Sequence, residues 1–495
     1  MGIIQRQSIK GTIYSYIGVI IGFITTGLLF PKFLSPEEIG LLSLLVSYSS
    51  LFAIFGNLGF NSVIIRLFPY FRDDHTKHHG FFFITLIVLI TGFLLAFGLF
   101  RIFKPLITTD SMEQSRLFVD YIFLLTPLIF FSLVFNTFDA YNRALFNATF
   151  GTFLKDLFQR LLIFTAMALY ISRYADFRQF VFFYVAALSV PGVLIFYPLI
   201  LKREIHLLPE RGFVKPELRK EMFSVGFFGI IMGFSNVIIQ RIDTIMINSM
   251  IDLGATGIYT ISLFFGSLVA IPARSLVRIS TAFIANAWKE NRLDEIRKVY
   301  YKSSLNQGIV GSLLFIGIWA NIHNIYQFLP REYMDGKFVI LFFGISALFT
   351  MVSGISATVL NLSKLYRFQA YLILAFGVMI VITNLILIPL LGIVGAAIAS
   401  CLSNFTFHVI RILFIYKRFK IQPFDHKILL VLLCAGIAYV LNLLIPEIRN
   451  YIWDILLRSL FMSIIFGTLI LVFRLSEEID QQKSKVLKFI SKLTR

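Results

Sequence analysis

The sequence predicts an all-α protein that crosses a membrane many times, with about fourteen spanning helices in two pseudo-symmetric six-helix lobes plus two C-terminal helices. The first observation is composition: 58% of the 495 residues are hydrophobic and only 15% are charged, whereas soluble proteins are about 45–50% apolar and about 25% charged. The second is the recurrence of long apolar runs from end to end. The third is a strong asymmetry of basic residues between alternate loops.

Each predicted span is a run of roughly 20 mostly apolar residues, the length that an α-helix needs to cross a bilayer. The runs lie at 12–31, 39–62, 81–103, 118–140, 152–171, 179–201, 222–250, 257–284, 304–328, 337–360, 369–389, 394–416, 428–445 and 452–473. The segment 152–171 departs most from this pattern, because it contains Asp156 and Arg160.

The basic residues orient these spans. With a cytoplasmic N-terminus, the inner segments hold 30 of the 45 Lys and Arg residues and the outer segments hold nine. Cytoplasmic loops of membrane proteins carry such an excess, so we predict that both termini are cytoplasmic. The net charge of +18 then reflects orientation and contact with anionic headgroups, and a nucleic-acid partner is not expected.

The two lobes are inferred from a repeat. Gly40 opens the helix after the first outer turn, and Gly257 opens a helix in the same way 217 residues later. Parallel repeats related by an axis along the membrane normal occur in alternating-access carriers. The predicted domains are an N-lobe at 1–203 (spans 1–6), a cytoplasmic inter-lobe loop at 204–221, a C-lobe at 222–418 (spans 7–12), spans 13–14 at 419–474 and a basic cytoplasmic amphipathic tail at 475–495.

The sequence shows no pattern of a catalytic or metal centre. Cys401 and Cys434 fall inside predicted spans, and no motif of a zinc, nucleotide or disulfide site stands out. The outer loops are too short for an external catalytic domain, so we predict that the protein is not an enzyme. We interpret His75, His78 and His79, in an inner loop, as part of a solvated charge run.

Polar side chains interrupt the seventh span. A charge at the centre of a span costs at least about 2.5–3.5 kcal/mol, so it must face protein or water. On a helical wheel, Asn236, Gln240, Arg241 and Asp243 fall in one polar sector, with Arg241 and Asp243 at its opposite edges. We predict that the first three bind cargo in a cavity and that Asp243 is an ion-coupling candidate. The alternative is a structural salt bridge between helices.

The eighth span adds Arg274 and Arg278, one turn apart. Shifted by the repeat offset, these positions become Asn57 and Asn61 in the second span, and Arg66 follows one turn further. We predict all five as further cargo-binding candidates. The alternative for Arg66 and Arg278 is that they extend to the inner headgroups.

Arginine dominates the ionisable groups that lie deep in the spans. Its guanidinium fork binds phosphate oxygens through paired, charge-assisted hydrogen bonds, so the predicted cargo is anionic. Two further pairs have the i,i+4 spacing of structural ion pairs, namely Asp139 with Arg143 and Asp156 with Arg160.

Several motifs together resemble a known family. They are "LSPEEIGLLSL" after span one, "QRIDTIMI" in span seven, "LGATGIYTISL" after it and "LGIVGAAIAS" at span twelve. With the fourteen spans, they resemble the polysaccharide-transport branch (O-antigen-unit or oligosaccharide flippases) of the multidrug/oligosaccharidyl-lipid/polysaccharide exporter superfamily, over nearly the whole chain.

The resemblance implies a flippase of the bacterial inner membrane. It would move an undecaprenyl-diphosphate-linked glycan to the outer leaflet by alternating access, for lipopolysaccharide O-antigen, capsule or exopolysaccharide assembly. No resident cofactor is expected, H⁺ or Na⁺ are candidate coupling ions, and the expected partners are membrane lipids, a polysaccharide polymerase and chain-length machinery. The alternatives are a cation-coupled exporter of small molecules, a peptidoglycan lipid-precursor flippase and a membrane glycosyltransferase or polymerase. The uncharged first span and the short outer loops argue against the last two.

Overall fold

Helices form the fold throughout the residues that the computed structural model describes, which are 3–73, 75–112, 115–210 and 212–476. We label the helices of ten or more residues α1 to α15. They are α1 Ile3–Gly22, α2 Pro36–Gly56, α3 Phe60–Phe71, α4 Phe81–Met112, α5 Leu125–Ala144, α6 Gln159–Ile171, α7 Phe177–Leu194, α8 Pro216–Met250, α9 Leu253–Ser267, α10 Ile271–Lys289, α11 Leu293–Ala320, α12 Lys337–Val352, α13 Tyr366–Phe419, α14 His426–Asn442 and α15 Tyr451–Val472. No β-strand occurs in the described ranges, so the all-α class is confirmed. The predicted tail at 475–495 lies, beyond Ser476, outside them.

Eleven helices in the described part of the chain are long and apolar enough to cross a membrane, and the chain is a multi-pass membrane protein. Three features account for the difference from fourteen. α13 covers two predicted spans, which meet at a kink at Gly392 (φ 58°, ψ −140°), where the backbone departs from helical geometry. α14 has only 17 residues. The segment 152–171 carries three charged residues, Lys155, Asp156 and Arg160, and is therefore less apolar than the eleven; it also contains a π-helical turn at Phe153–Phe158.

The described helices form two compact units. The first consists of the chain up to Ile261 together with Ile373–Ala396, and the second of Ser262–Leu372 together with the chain from Ala397 onward. α8 begins at Pro216, so the last six residues of the predicted inter-lobe loop are already helical. The division into two six-helix lobes stays a prediction.

The predicted repeat appears as a two-fold contact between α2 and α9 within the first unit. A Cβ added to Gly40 would lie 2.1 Å from the carbonyl oxygen of Leu253, and one added to Gly257 would lie 1.8 Å from that of Pro36. Both backbones therefore need glycine to approach so closely. Thr260 Oγ1 also donates to the oxygen of its repeat equivalent, Ser43, at 2.9 Å, across the 217-residue offset seen in the sequence.

The second predicted span, 39–62, is not one continuous helix. α2 ends at Gly56, and Leu58 (φ 51°) and Gly59 (φ 67°) take left-handed conformations before α3 begins. A Cβ on Gly59 would lie 1.9 Å from the carbonyl oxygen of Gly226 in α8. The break therefore lets the chain pack directly against the α8 backbone.

The inner loop after α3 is more ordered than the predicted charge run. His78 is buried, accepts the backbone N–H of Asp73 at Nδ1, and pairs through Nε2 with Glu204 at 3.0 Å. His79 pairs with Glu210 at 2.5 Å and stacks on Phe213. The interpretation of these histidines as solvated is wrong for His78, because the segment after Leu201 covers it.

A buried ionic cluster anchors the start of α15 in the second unit. Asp454 is fully buried, and its Oδ2 accepts hydrogen bonds from Arg458 Nε and Asn324 Nδ2, each at 2.6 Å. His323 Nε2 lies 2.9 Å from the same oxygen, and the backbone N–H of Ile448 donates to Oδ1 at 3.0 Å. The cluster fixes the loop before α15 to the short helix that follows α11.

Candidate functional site

Asp243, the ion-coupling candidate, is buried on α8 inside the first unit. Its Oδ2 accepts a hydrogen bond from the hydroxyl of Tyr259, and its Oδ1 accepts one from Nδ2 of Asn384, each at 2.6 Å. Asp243 is 8% exposed and Asn384 is fully buried. The carboxylate therefore joins α8 to α9 and α13 through neutral partners, alongside any role in transport.

The oxygens around Asp243 can accommodate a small cation or a proton. Oδ1 of Asn384 has no hydrogen-bond partner among the described residues, although a buried amide oxygen normally has one. Carboxylate and amide oxygens are the ligands that hard cations prefer. A protonated Asp243 could instead donate its O–H to that oxygen. Both forms satisfy an acceptor that is otherwise unused.

Arg241 lies two residues before Asp243 and is partly buried. Within the described ranges it makes no hydrogen bond or ion pair, and the groups within its electrostatic range include the Lys155 ammonium and the Tyr184 hydroxyl. The Asp139 and Asp156 carboxylates also lie within electrostatic range of Lys155 and compensate its charge. An unpaired charge inside a membrane protein is costly, so Arg241 can bind an anion.

Lys155 lies in the π-helical turn Phe153–Phe158. Its side chain is exposed, and its Nζ lies 5.2 Å from the ring centre of Phe135. π-helical turns are rare and are frequent at functional sites. Nearby, Arg143 Nη2 lies 2.9 Å from Asp139 Oδ2, which confirms that predicted pair.

The predicted Asp156–Arg160 pair is replaced, in the described ranges, by contacts with α1. Ser15 Oγ donates to Asp156 Oδ2 at 2.5 Å, and Arg160 Nη1 donates to the carbonyl oxygen of Gly18 at 2.7 Å. The π turn changes the register, because its wider turn no longer stacks residues four apart. A Cβ on Gly18 would lie 1.7 Å from the carbonyl oxygen of Asp156, so glycine is needed there too.

Asn57 and Asn61 bond each other at the break between α2 and α3. Asn57 Nδ2 donates to Asn61 Oδ1 at 2.9 Å and to Thr137 Oγ1 at 3.2 Å, while Asn57 Oδ1 accepts the backbone N–H of Asn61 at 3.2 Å. Asn57 is 4% exposed. These contacts stabilise the break, and a cargo role for the pair stays a prediction.

The remaining predicted residues on α8 and α3 are accessible. Asn236, Gln240 and Arg66 are exposed, and Asn236 Nδ2 donates to the carbonyl oxygen of Met232 at 2.8 Å.

Arg274 and Arg278 belong to α10, Ile271–Lys289. Their side chains lie outside the described residues, so their contribution to cargo binding stays a prediction.

The sequence reasoning missed Lys155, Tyr184, Tyr259 and Asn384. Lys155 lies at the start of the predicted span 152–171, directly before Asp156, but only Asp156 and Arg160 were considered there. Asn384 is the one Asn, Asp, Glu, Lys or Arg within the predicted span 369–389, and this isolation was a usable signal. The two tyrosines leave no such signal, because aromatic residues are common throughout the chain.

The fold defines a class, a multi-pass membrane protein with ionisable groups buried among its helices. The solved structure of lipid II flippase MurJ in an inward closed conformation has a TM-score of 0.74 and 15% identity, covering 94% of this chain and 98% of that one. An inward-facing multidrug resistance MATE transporter of the MOP superfamily has a TM-score of 0.63 and 16% identity, covering 83% and 94%. The chain thus has the fold of the multidrug/oligosaccharidyl-lipid/polysaccharide exporter superfamily.

The family follows from the sequence comparison. Residues 8–284 match the family described as "Polysaccharide biosynthesis protein", which is more than half of the chain, and the chain belongs to that family. It is also similar to the uncharacterized membrane protein MJ1068 of Methanocaldococcus jannaschii, with 22% identity over 88% of each chain.

Proposed function

We propose that this protein is a flippase that moves an undecaprenyl-diphosphate-linked oligosaccharide from the inner to the outer leaflet of the bacterial inner membrane by alternating access. The product would supply assembly of O-antigen, capsule or exopolysaccharide. The observation that carries this proposal is Arg241, which has no anionic partner in the described ranges and lies near Lys155. Membership of a polysaccharide biosynthesis family supports it.

A diphosphate matches this pair of cations. Arginine presents a planar fork to two oxygens, while lysine acts as a point charge that adapts its direction. A diphosphate has enough anionic oxygens for both groups. A cationic drug would instead lie beside the Arg241 charge without compensating it, which argues against a small-cation exporter.

The protein would move its cargo without making or breaking a covalent bond, so we propose that it is not an enzyme. Arg274 and Arg278 would take the diphosphate from the inner leaflet, and Arg241 would hold it later in the cycle. Asp243 would couple this cycle to H⁺ or Na⁺, using the unused oxygen of Asn384. Both termini would be cytoplasmic, and a polymerase with its chain-length machinery would receive the product.

Replacing Arg241 with Gln is expected to reduce surface polymer at least about tenfold, because a charge-assisted hydrogen bond contributes about 1.5–3 kcal/mol. Lys155→Gln should act in the same direction and less strongly. The measurement is surface polysaccharide in a strain that depends on this protein, normalised to its amount in the membrane. Arg178→Gln, a charge removal at the exposed start of α7, is the matched control and should retain polymer. Normal polymer in the Arg241 variant would contradict the cargo assignment.

The double variant Arg274→Ala with Arg278→Ala is expected to abolish surface polymer while leaving the protein level unchanged, since both proposed entry contacts are lost. Lipid-linked oligosaccharide should then accumulate in the inner leaflet, where an impermeant sugar-modifying reagent added outside cannot reach it. Normal surface polymer would remove both residues from the cargo site.

A further inference from the structure

A cavity of about 510 Å³ opens in the first unit between α3, α4 and the first half of α8. Ligand pockets typically measure roughly 300–1,000 Å³. Its walls are almost entirely apolar and include Val63, Ile84 and Val88, and Arg219 is the charged side chain among the lining residues. Neither Arg241 nor Asp243 lines it, so it is separate from the site described above.

One face of α8 forms a long wall of this cavity. Arg219, Phe223, Gly226 and Ile230 recur at the i, i+4, i+7 and i+11 spacing of a single helical face. Phe223 is 75% exposed. The cavity therefore presents a continuous apolar surface with a cation at one end.

Glycine allows the cavity to form beside a close helix contact. The backbone of Gly59 packs directly on Gly226, and a Cβ on Gly229 would lie 2.6 Å from the carbonyl oxygen of Gly59. Beyond this contact, α3 continues from Phe60 while α4 supplies the facing wall. At this contact the glycines contribute no side chain that could fill the neighbouring space.

We propose that this cavity holds one acyl chain of an anionic membrane phospholipid, with the headgroup phosphate at Arg219. The wall from Arg219 to Ile230 is about 16 Å long at 1.5 Å per residue. One leaflet of the hydrocarbon core is about 15 Å thick, half of roughly 30 Å. An acyl chain matches this length, whereas a long polyprenyl chain extends well beyond it.

The charge near the cavity favours an anionic headgroup. Lys215 directly precedes the first residue of α8, four positions before Arg219, and helical periodicity places Glu217 and Glu221 on the face opposite Arg219. The predicted topology puts this end of α8 at the cytoplasmic headgroups, where anionic lipids attract basic residues. The proposal does not depend on the identity of the transported cargo.

The first test measures lipid binding to the purified full chain by native mass spectrometry and by thermal shift in detergent. Phosphatidylglycerol is compared with phosphatidylcholine of the same acyl chains. We expect preferential retention of phosphatidylglycerol, and about fivefold weaker binding in Arg219→Gln, since one basic residue at a membrane surface contributes about 1 kcal/mol. Lys220→Gln removes the neighbouring charge from a different face and should bind as the unaltered protein does.

A second variant tests the acyl chain. Ile84→Trp should fill part of the cavity and weaken phosphatidylglycerol binding at least as much as Arg219→Gln does. Ile90→Trp, on the exposed side of the same helix, is the matched control and should leave binding unchanged. Phosphatidylglycerol with a photoreactive acyl chain should also label α4 and the first half of α8 in the unaltered protein, whether or not the variants fold.

Several outcomes would overturn the proposal. Equal retention of both lipids, or labelling confined to other helices, would remove the site. Stabilisation by glycerol phosphate alone would indicate a free-anion site. Preferential displacement of phosphatidylglycerol by a polyprenyl phosphate would assign the cavity to the cargo tail.

Discussion

Replacing Asp454 with Ala is expected to destabilise the protein by about 3 kcal/mol, the low end of the roughly 3–5 kcal/mol that follows removal of one partner from a buried ion pair. The Asp454 carboxylate accepts hydrogen bonds from Arg458, Asn324 and the backbone of Ile448. Its loss leaves the Arg458 side chain, which is 5% exposed, without its anion. The low end applies because His323 is 27% exposed and water can reach the cluster.

The double variant Asp454→Ala with Arg458→Met distinguishes the loss of the whole ion pair from the loss of one partner. It should be more stable than Asp454→Ala alone, because no unpaired charge remains buried. Glu295→Gln is the control, because it removes the ion pair of Glu295 with Arg292 at the surface. The Arg292 side chain is 42% exposed and the Glu295 side chain is 40% exposed, so this change should cost less than about 1 kcal/mol. Thermal midpoints in one detergent measure all three. Equal midpoints for Asp454→Ala and Glu295→Gln would show that the cluster is not a stabilising unit.

Replacing Asp243 with Asn is expected to lower transport at least about tenfold while leaving the thermal midpoint nearly unchanged. Asn can still accept the hydroxyl of Tyr259, and a 180° turn of the Asn384 amide brings its unused Oδ1 round to accept the new N–H. Asn lacks the negative charge of Asp243. A hydrogen bond to a charged group contributes about 1.5–3 kcal/mol, and this contribution is lost. Transport should also lose its dependence on pH or on Na⁺.

Tyr259→Phe distinguishes ion coupling from a structural contact at Asp243. It removes one hydrogen bond from the carboxylate but keeps the charge, so ion dependence should persist with at most a moderate loss of rate. Flux of a lipid-linked oligosaccharide into reconstituted vesicles, measured across imposed pH and Na⁺ gradients, reports both properties. If Asp243→Asn retains its response to these gradients, the coupling role is wrong and the residue serves only to join α8, α9 and α13.

The positions of the spans were predictable because span length depends on bilayer thickness and on local composition. The errors occurred where one backbone residue changes the outcome. Leu58 and Gly59 break the second span, and Gly392 introduces a kink inside α13. Left-handed conformations of this kind depend on what packs against the backbone. Position 59 must be glycine because the backbone of Gly226, far away in sequence, packs directly against it.

The candidate site was predictable only in part. Arg241 and Asp243 were found because a charge in an apolar span is costly and must face protein or water. Their partners were not found, because Asn384 is 141 residues from Asp243 and nothing in the local sequence links Lys155 to Arg241. The i,i+4 rule succeeded for Asp139 and Arg143 and failed for Asp156 and Arg160, where a π turn alters the spacing.

The sequence by itself determined that this protein is an all-α, multi-pass membrane protein with an internal repeat. Hydropathy and the spacing of glycines are properties of the sequence and do not depend on which helices pack together. Its tertiary structure alone decided which polar groups meet: Asp243 with Tyr259 and Asn384, and Arg241 near Lys155. The physical reason is that many different helix arrangements can keep polar groups out of contact with lipid, and each of them is stable in a membrane in this respect. Helix packing, with its close glycine contacts, selects one arrangement from the many that satisfy this condition.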